Sequence, residues 1–309
     1  MDRLRRVYEV FPAGPPLTEA QQVGRETEIA SMVERLCVGE ALLLMEERRT
    51  GKTSLAIGAL DRIRAAGGRV AAVTLTRFPD PAQVALFLER QLQSRPRRTL
   101  GSIADLIRRL DREPVGDLLG GQAAVELGMA GDVAQAIERP SRDLPGLLSA
   151  VGEEKRDTAV LLDEAHVIAT WPEPLREGLN AVLRGGHGAG VVIASSETSA
   201  LQQLTHPGGA LHLAVTRFQV PDIATRQWLG ALRDGFAELD IEISETHLLR
   251  LIEETGGQPY LTMRLARDTA RIAVGNPQMP QKVGIGQIGA ALLELRADPV
   301  WKQLRRQQP

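Results

Sequence analysis

Cysteine is almost absent from the sequence, which has one, Cys37, among 309 residues. A single thiol excludes an internal disulfide and a cysteine-rich metal site, so we expect Cys37 to be a buried small side chain at a helix end. Aromatic residues make up only 3% of the chain, and the core must therefore be built from Leu, Ile, Val and Ala. The 43% of hydrophobic residues is ample material for such a core and excludes a disordered or fibrous protein.

Long apolar runs are also absent. No run approaches the roughly 18 residues that a membrane-spanning helix needs. The first residues include basic side chains but lack the apolar core of a signal peptide. These two absences predict a soluble, cytoplasmic protein.

Neither sign of charge predominates, because 37 Lys and Arg residues face 39 Asp and Glu residues, for a net charge of −2. This balance does not indicate bulk electrostatic attraction to nucleic acid. The basic segments at residues 95–98 and 305–306 are the candidates for a local contact with nucleic acid. A solvated helix end or tail is the simpler interpretation of both.

Short apolar runs alternate with helical patterns over most of the chain, which predicts an α/β domain with a parallel sheet over residues 21–217. The first 20 residues contain three prolines and predict an extended N-terminal arm. After Pro221 the pattern is wholly helical, which predicts a helical unit and tail over residues 218–309. Regularly spaced glycines in residues 112–140 are typical of an inserted hairpin. The predicted strands are residues 41–45, 69–76, 158–162, 190–194 and 212–215.

The tripeptide Gly51-Lys52-Thr53 lies between a buried strand and an amphipathic helix, as in a phosphate-binding loop. Backbone N–H groups at the start of a helix and the helix dipole favour phosphate binding, and Gly51 lets the backbone approach closely. We expect Lys52 to reach the β- and γ-phosphates and the Thr53 hydroxyl to ligate Mg²⁺. The neighbouring residues that we also assign to nucleotide binding are Arg49, Thr50 and Ser54.

The loop departs from the usual pattern at its first position, where Glu46 replaces glycine. A carboxylate is an unusual neighbour for a triphosphate. Either Arg48 and Arg49 neutralise it, or the loop binds nucleotide weakly. Taken alone, this fragment is also compatible with a chance Gly-Lys-Thr at a helix start.

A second signal follows about 110 residues downstream, where the apolar run 159–162 ends in Asp163 and Glu164. We expect Asp163 to hold Mg²⁺, directly or through water, and Glu164 to orient and polarise the attacking water. Solvated carboxylates are common at strand ends. Their pairing with Gly-Lys-Thr at this spacing favours a nucleotide site.

A third signal is the pair Ser195 and Ser196, which follows the apolar run 191–194. One of them is expected to hydrogen-bond the γ-phosphate or the lytic water, and the sequence does not choose between them. Capping of a helix that begins near Thr198 is an equal alternative. His166 follows Glu164 closely, but no second His or Cys lies at ligand spacing, so neither a metal site nor acid–base chemistry is predicted for it.

With these elements in order, the chain resembles the P-loop ATPases of the AAA+/STAND group, in particular the branch named archaeal-type ATPases. Residues 23–26 (VGRE) and 255–261 (TGGQPYL) are similar to two further family motifs. The resemblance implies a P-loop NTPase sheet with a C-terminal helical lid, ATP or ADP as ligand, and Mg²⁺. It also implies that Gly24 and Arg25 border the adenine and that Pro259 packs near it. Pro259 is equally typical of the first position of a helix.

Three functions fit this sequence. The first is an ATP-driven switch or helper subunit with slow hydrolysis, acting on a partner protein or on copies of itself. The second is a DNA-associated ATPase, such as a transposition or replication helper. The third is a structural module whose degenerate loop no longer turns over ATP.

Overall fold

The computed structural model describes residues 2–45, 49–78, 80–93, 103–110, 142–154, 157–186, 188–275 and 281–305. Several predictions lie outside these residues: Glu46 and Arg48 of the loop, the basic segment 95–98, and the hairpin at 112–140. The basic pair 305–306 is likewise outside the described side chains.

The described residues form a five-stranded parallel sheet with the order β2-β3-β4-β1-β5. Every residue of β3 and β4 is buried, as expected for parallel strands that are covered by helices on both faces. The predicted α/β fold with a parallel sheet is therefore confirmed. The strands are β1 (Ala41–Met45), β2 (Arg69–Thr74), β3 (Thr158–Asp163), β4 (Gly190–Ser195) and β5 (Thr216–Arg217).

The helices of the α/β part are α2 (Glu26–Cys37), α3 (Lys52–Ala65), α4 (Pro81–Gln93), α5 (Ile103–Leu110), α6 (Leu144–Glu153), α7 (Glu173–Gly185) and α8 (Thr198–Thr205), with a 3₁₀ helix at Ala165–Thr170. The other helices are α1 (Asp2–Val10), α9 (Thr225–Glu238), α10 (Glu245–Thr255), α11 (Pro259–Val274), α12 (Ile285–Ala297) and α13 (Pro299–Arg305). No described helix is long and apolar enough to cross a membrane.

Two separate clusters of buried hydrophobic residues hold the molecule together. One lies on both faces of the sheet. The other joins α1 to the helices that follow Pro221. We name this second group, α1 with α9–α13, the helical unit.

The predicted extended arm is wrong for residues 2–10, which form α1. Val7 and Phe11 lie four positions apart, so they share one face and are buried in the helical unit at 0% and 1% exposure. The Phe11 ring lies 4.9 Å from that of Phe236. The prolines begin only at Pro12, after α1 has ended.

Two further predictions need correction. The fifth strand is Thr216–Arg217 and not 212–215, because the preceding segment is a turn in which Asn180 Nδ2 donates to the carbonyls of Ala210 and His212. Cys37 is exposed, since it follows Leu36, the last residue of the buried stripe of α2, by one position and so points about 100° away.

Candidate functional site

The loop between β1 and α3 turns sharply at Gly51, whose φ of +94° lies in the left-handed region. A Cβ atom at Gly51 would meet no atom within 4 Å, so conformation and not crowding favours glycine here. Helix α3 begins at the next residue. The first N–H groups of an α-helix have no acceptor within the helix and can bind an anion.

The structure brings Thr53 and Asp163, the two residues that the sequence analysis assigned to Mg²⁺, into contact. The Thr53 hydroxyl donates a hydrogen bond of 2.8 Å to Asp163 Oδ2 across 110 positions. Lys52, at the start of α3, is only 6% exposed and interacts electrostatically with Asp163.

Burial raises the pKa of Asp163 to about 6, although hydrogen bonds from Thr53 and from the N–H of Glu164, together with the Lys52 charge, act in the opposite direction. The two hydrogen bonds and the Lys52 charge therefore do not fully offset the cost of burying this carboxylate. A divalent cation beside it would lower that cost. Among the described residues, no group of three or more His, Cys, Asp or Glu side chains is placed to hold a metal. Two oxygen donors fit Mg²⁺, which usually takes one or two protein ligands and completes its shell with phosphate and water.

Glu164 follows the end of β3 with a φ of +52°, a left-handed conformation that is strained for a residue with a side chain. Ser196 Oγ donates to Glu164, at 3.3 Å from both carboxylate oxygens. Ser195 is fully buried, accepts a hydrogen bond of 3.1 Å from the N–H of Glu197, and lies 3.1 Å from Nδ1 of His166. The two serines therefore have different partners, and neither caps α8, whose N-cap is Glu197.

A cavity of about 110 Å³ lies beside the loop, between the α/β part and the helical unit. The N-terminal segment after α1 forms one of its walls, which the sequence interpretation missed because it treated residues 1–20 as an arm. Ile223, Trp228 and Tyr260 form apolar walls that were also missed. The predicted nucleotide residues that line this cavity are Arg25, Arg49, Thr50, Gly51, Ser54 and Pro259.

Three of the predicted residues, Arg25, Gly24 and Ser54, make contacts within the protein near the cavity. Arg25 is 5% exposed and donates to the carbonyl of Pro221 at 2.6 Å, and burial lowers its pKa. Gly24 has a φ of +60°, and a Cβ there would lie 2.5 Å from the Gln227 side chain. Ser54 Oγ accepts a hydrogen bond from the N–H of Leu17 at 3.0 Å and so fixes the N-terminal segment.

The loop also contacts the helical unit directly. Gln258, the N-cap of α11, donates from Nε2 to the carbonyl of Arg49 at 2.7 Å. The Arg49 guanidinium lies 3.9 Å from the centre of the Tyr260 ring. One loop residue is thus bound to the helical unit by both its backbone and its side chain.

No protein-family model matches the sequence, and no curated protein is significantly similar to it. The fold is similar to that of the Walker-type ATPase PABY2304 of Pyrococcus abyssi, with a TM-score of 0.60 and 16% identity over 97% of this chain and 80% of that one. It is also similar to the Aeropyrum pernix ORC1 protein in complex with DNA, with a TM-score of 0.54 and 17% identity over 99% and 73% of the two chains. The A. pernix ORC2 protein, in ADPNP and ADP complexes, gives 0.52 and 18% over 94% and 72%. The chain therefore has the fold of P-loop ATPases.

Proposed function

We propose that this protein is a Mg²⁺-dependent ATPase that acts as a nucleotide-driven switch or helper subunit. The observation that carries the proposal is the hydrogen bond between Thr53 and Asp163 beside the start of α3. It unites in one place a helix N-terminus for phosphate and two oxygen donors for Mg²⁺. Similarity in fold to the Walker-type ATPase PABY2304 and to the A. pernix ORC2 protein in ADPNP and ADP complexes supports the same function.

Different residues of the chain bind the phosphates, hold the metal ion and activate the attacking water. The N–H groups at the start of α3 and the Lys52 ammonium bind the phosphates, while Thr53 and Asp163 hold the ion. Mg²⁺ held by Thr53 and Asp163 would supply positive charge to the phosphates. Glu164 orients a water toward the γ-phosphorus and takes its proton as the bond from that phosphorus to the bridging oxygen breaks.

We assign the nucleoside to the cavity beside the loop. Its apolar walls at Ile223, Trp228 and Tyr260 suit a purine ring, and Pro259 begins the helix beside them. Because Trp228, Pro259 and Tyr260 belong to the helical unit, bound nucleotide shifts the position of that unit relative to the loop. Such a movement is the physical basis of the switch.

The test has two stages. Protein purified without added nucleotide is denatured, and any released nucleotide is identified by chromatography. Mg-ATP binding and hydrolysis are then compared for wild type, Lys52→Ala and Lys302→Ala, a matched control at an exposed lysine in α13. We expect the first variant to lose nucleotide binding and the control to retain it. Equal binding by all three proteins would contradict the proposal, and binding without turnover by wild type would favour a structural module.

DNA binding is a second candidate, supported by the similar fold of the A. pernix ORC1 protein in complex with DNA. Titration of a fluorescent DNA duplex at two salt concentrations tests it. Contacts with phosphate predict an affinity that falls steeply with salt, because binding releases counterions. An affinity that is undetectable at low salt would exclude this candidate.

A further inference from the structure

His166 is a side chain at this site to which the proposed mechanism gives no role. It lies in the 3₁₀ helix that follows Glu164 and is mostly buried, with a side chain 19% exposed. Its Nδ1 is 3.1 Å from Ser195 Oγ and 3.4 Å from Glu164 Oε2. Its Nε2 is 3.6 Å from Glu197 Oε1. One ring thus connects the end of β3, the end of β4 and the start of α8.

Nδ1 is the ring nitrogen that lies close to both Ser195 and Glu164. Ser195 Oγ already accepts from the N–H of Glu197, and it can still donate its own proton or accept a second hydrogen bond. The Glu164 carboxylate is an acceptor. Both groups face Nδ1, which accepts from Ser195 when it carries no proton and donates to Ser195 or to Glu164 when it does.

The conformation of Glu164 depends on contacts with neighbouring side chains. Its left-handed φ of +52° is strained, which means that surrounding contacts must fix its conformation. The bonds from Ser196 are both 3.3 Å, which is long for an O–H donor to a carboxylate. A ring packed against the carboxylate restricts the remaining movement.

We propose that His166 is a positioning residue for Glu164, which it holds beside the end of β4 through its shared contact with Ser195. This inference rests on the proposed ATPase function. Because Ser195 and Glu164 share one ring nitrogen, a displacement of the end of β4 reaches the carboxylate directly. His166 therefore sets where Glu164 holds the attacking water, without touching the substrate itself.

Two substitutions test the roles of the two ring nitrogens separately. His166→Asn keeps a polar atom near the position of Nδ1, whereas His166→Gln keeps one near the position of Nε2. We expect His166→Gln and His166→Ala to lower kcat by about 10- to 100-fold with little change in KM. A small displacement of a catalytic group slows a reaction by factors of this order. We expect His166→Asn to retain most of the activity. His206→Asn, at an exposed histidine, is the control.

A double variant distinguishes positioning from a general loss of structure. If His166 acts through Glu164, then adding His166→Ala to Glu164→Gln causes no further loss of kcat. A multiplicative loss, or equal losses in His166→Asn and His166→Gln, would overturn the inference. So would unchanged kcat in His166→Gln when wild type hydrolyses ATP and Glu164→Gln does not, a result that leaves the proposed function intact. A wild type without ATPase activity would overturn both.

Discussion

The Thr53 hydroxyl donates a hydrogen bond of 2.8 Å to a carboxylate oxygen of Asp163, although the two residues are 110 positions apart. Helix α3 supplies the donor and the end of β3 supplies the acceptor, and a third strand, β4, lies between β3 and β1. The contact places a buried carboxylate at the mouth of the loop. The free-energy cost of burying this carboxylate depends on whether it carries a proton.

Asp163→Asn is expected to stabilise the protein at pH 8 when Mg²⁺ and nucleotide are absent. Burial raises the pKa of Asp163 from 3.8 to about 6, so the folded state binds the proton more tightly than the unfolded state. The stabilisation that this proton provides is complete below pH 3.8 and is lost as the pH rises through about 6. Above that value the buried charge costs on the order of 3 kcal/mol, at about 1.4 kcal/mol per pKa unit.

Urea unfolding, followed by tryptophan fluorescence, measures this effect. We expect Asp163→Asn to raise the free energy of unfolding at pH 8 by about 1–3 kcal/mol, with a smaller gain at pH 5. Asp234→Asn, at an exposed aspartate in α9, is the matched control and should change little at either pH. A variant that is less stable than wild type at pH 8 would contradict the argument.

Glu164→Gln is expected to bind Mg-ATP but to hydrolyse it at least 100-fold more slowly, because general bases contribute rate factors of about 10²–10⁴. The amide still accepts a hydrogen bond from Ser196, so the local structure is preserved. Single-turnover hydrolysis of radiolabelled ATP measures the rate, and equilibrium binding measures the affinity. Glu173→Gln, at an exposed residue at the start of α7, is the control. Hydrolysis at the wild-type rate would show that Glu164 is not the base.

The strand–loop–helix unit could be predicted because its signals are local. An apolar run, a Gly-Lys-Thr tripeptide and an amphipathic helix follow one another within residues 41–65. The meeting of Thr53 with Asp163 could also be predicted, because the carboxyl ends of parallel strands lie at the same edge of a sheet. Both expectations use only strand direction and short-range pattern.

The hydrogen-bond partners of Ser195, the last residue of β4, and of Ser196, which follows it, could not be predicted from the sequence. Because β4 is buried throughout, its run of apolar residues has no alternation that would reveal which face each serine takes. The walls of the cavity depend on contacts between distant positions, such as the bond from Gln258 to Arg49 across 209 residues. No local pattern encodes such a contact.

Phe11→Ala is expected to destabilise the helical unit by about 3–5 kcal/mol, the usual cost of removing a buried phenylalanine. The ring is 1% exposed and packs against Phe236. Leu4→Ala is the matched control in α1, because Leu4 is 45% exposed. Thermal unfolding of both variants measures the difference, and equal melting temperatures would show that α1 is not part of this core.

Arg49 and Tyr260 are expected to contribute to ATP binding as a pair. The Arg49 backbone has a φ of +66°, which is strained, and the bond from Gln258 together with the stacking on Tyr260 holds it in place. Stacking of a guanidinium on an aromatic ring contributes about 0.5–2 kcal/mol. Arg49→Ala and Tyr260→Leu should therefore each weaken ATP affinity by about 3- to 10-fold.

The double variant Arg49→Ala, Tyr260→Leu decides whether the two residues act together. If the stacking contact connects the loop to the helical unit, the double variant binds ATP about as weakly as either single variant. Tyr260→Phe keeps the ring and should bind as wild type does. Calorimetric titration with Mg-ATP measures all four affinities. Additive losses would instead mean that each side chain contacts the nucleotide separately, and a loss in Tyr260→Phe would assign the role to the hydroxyl and not to the ring.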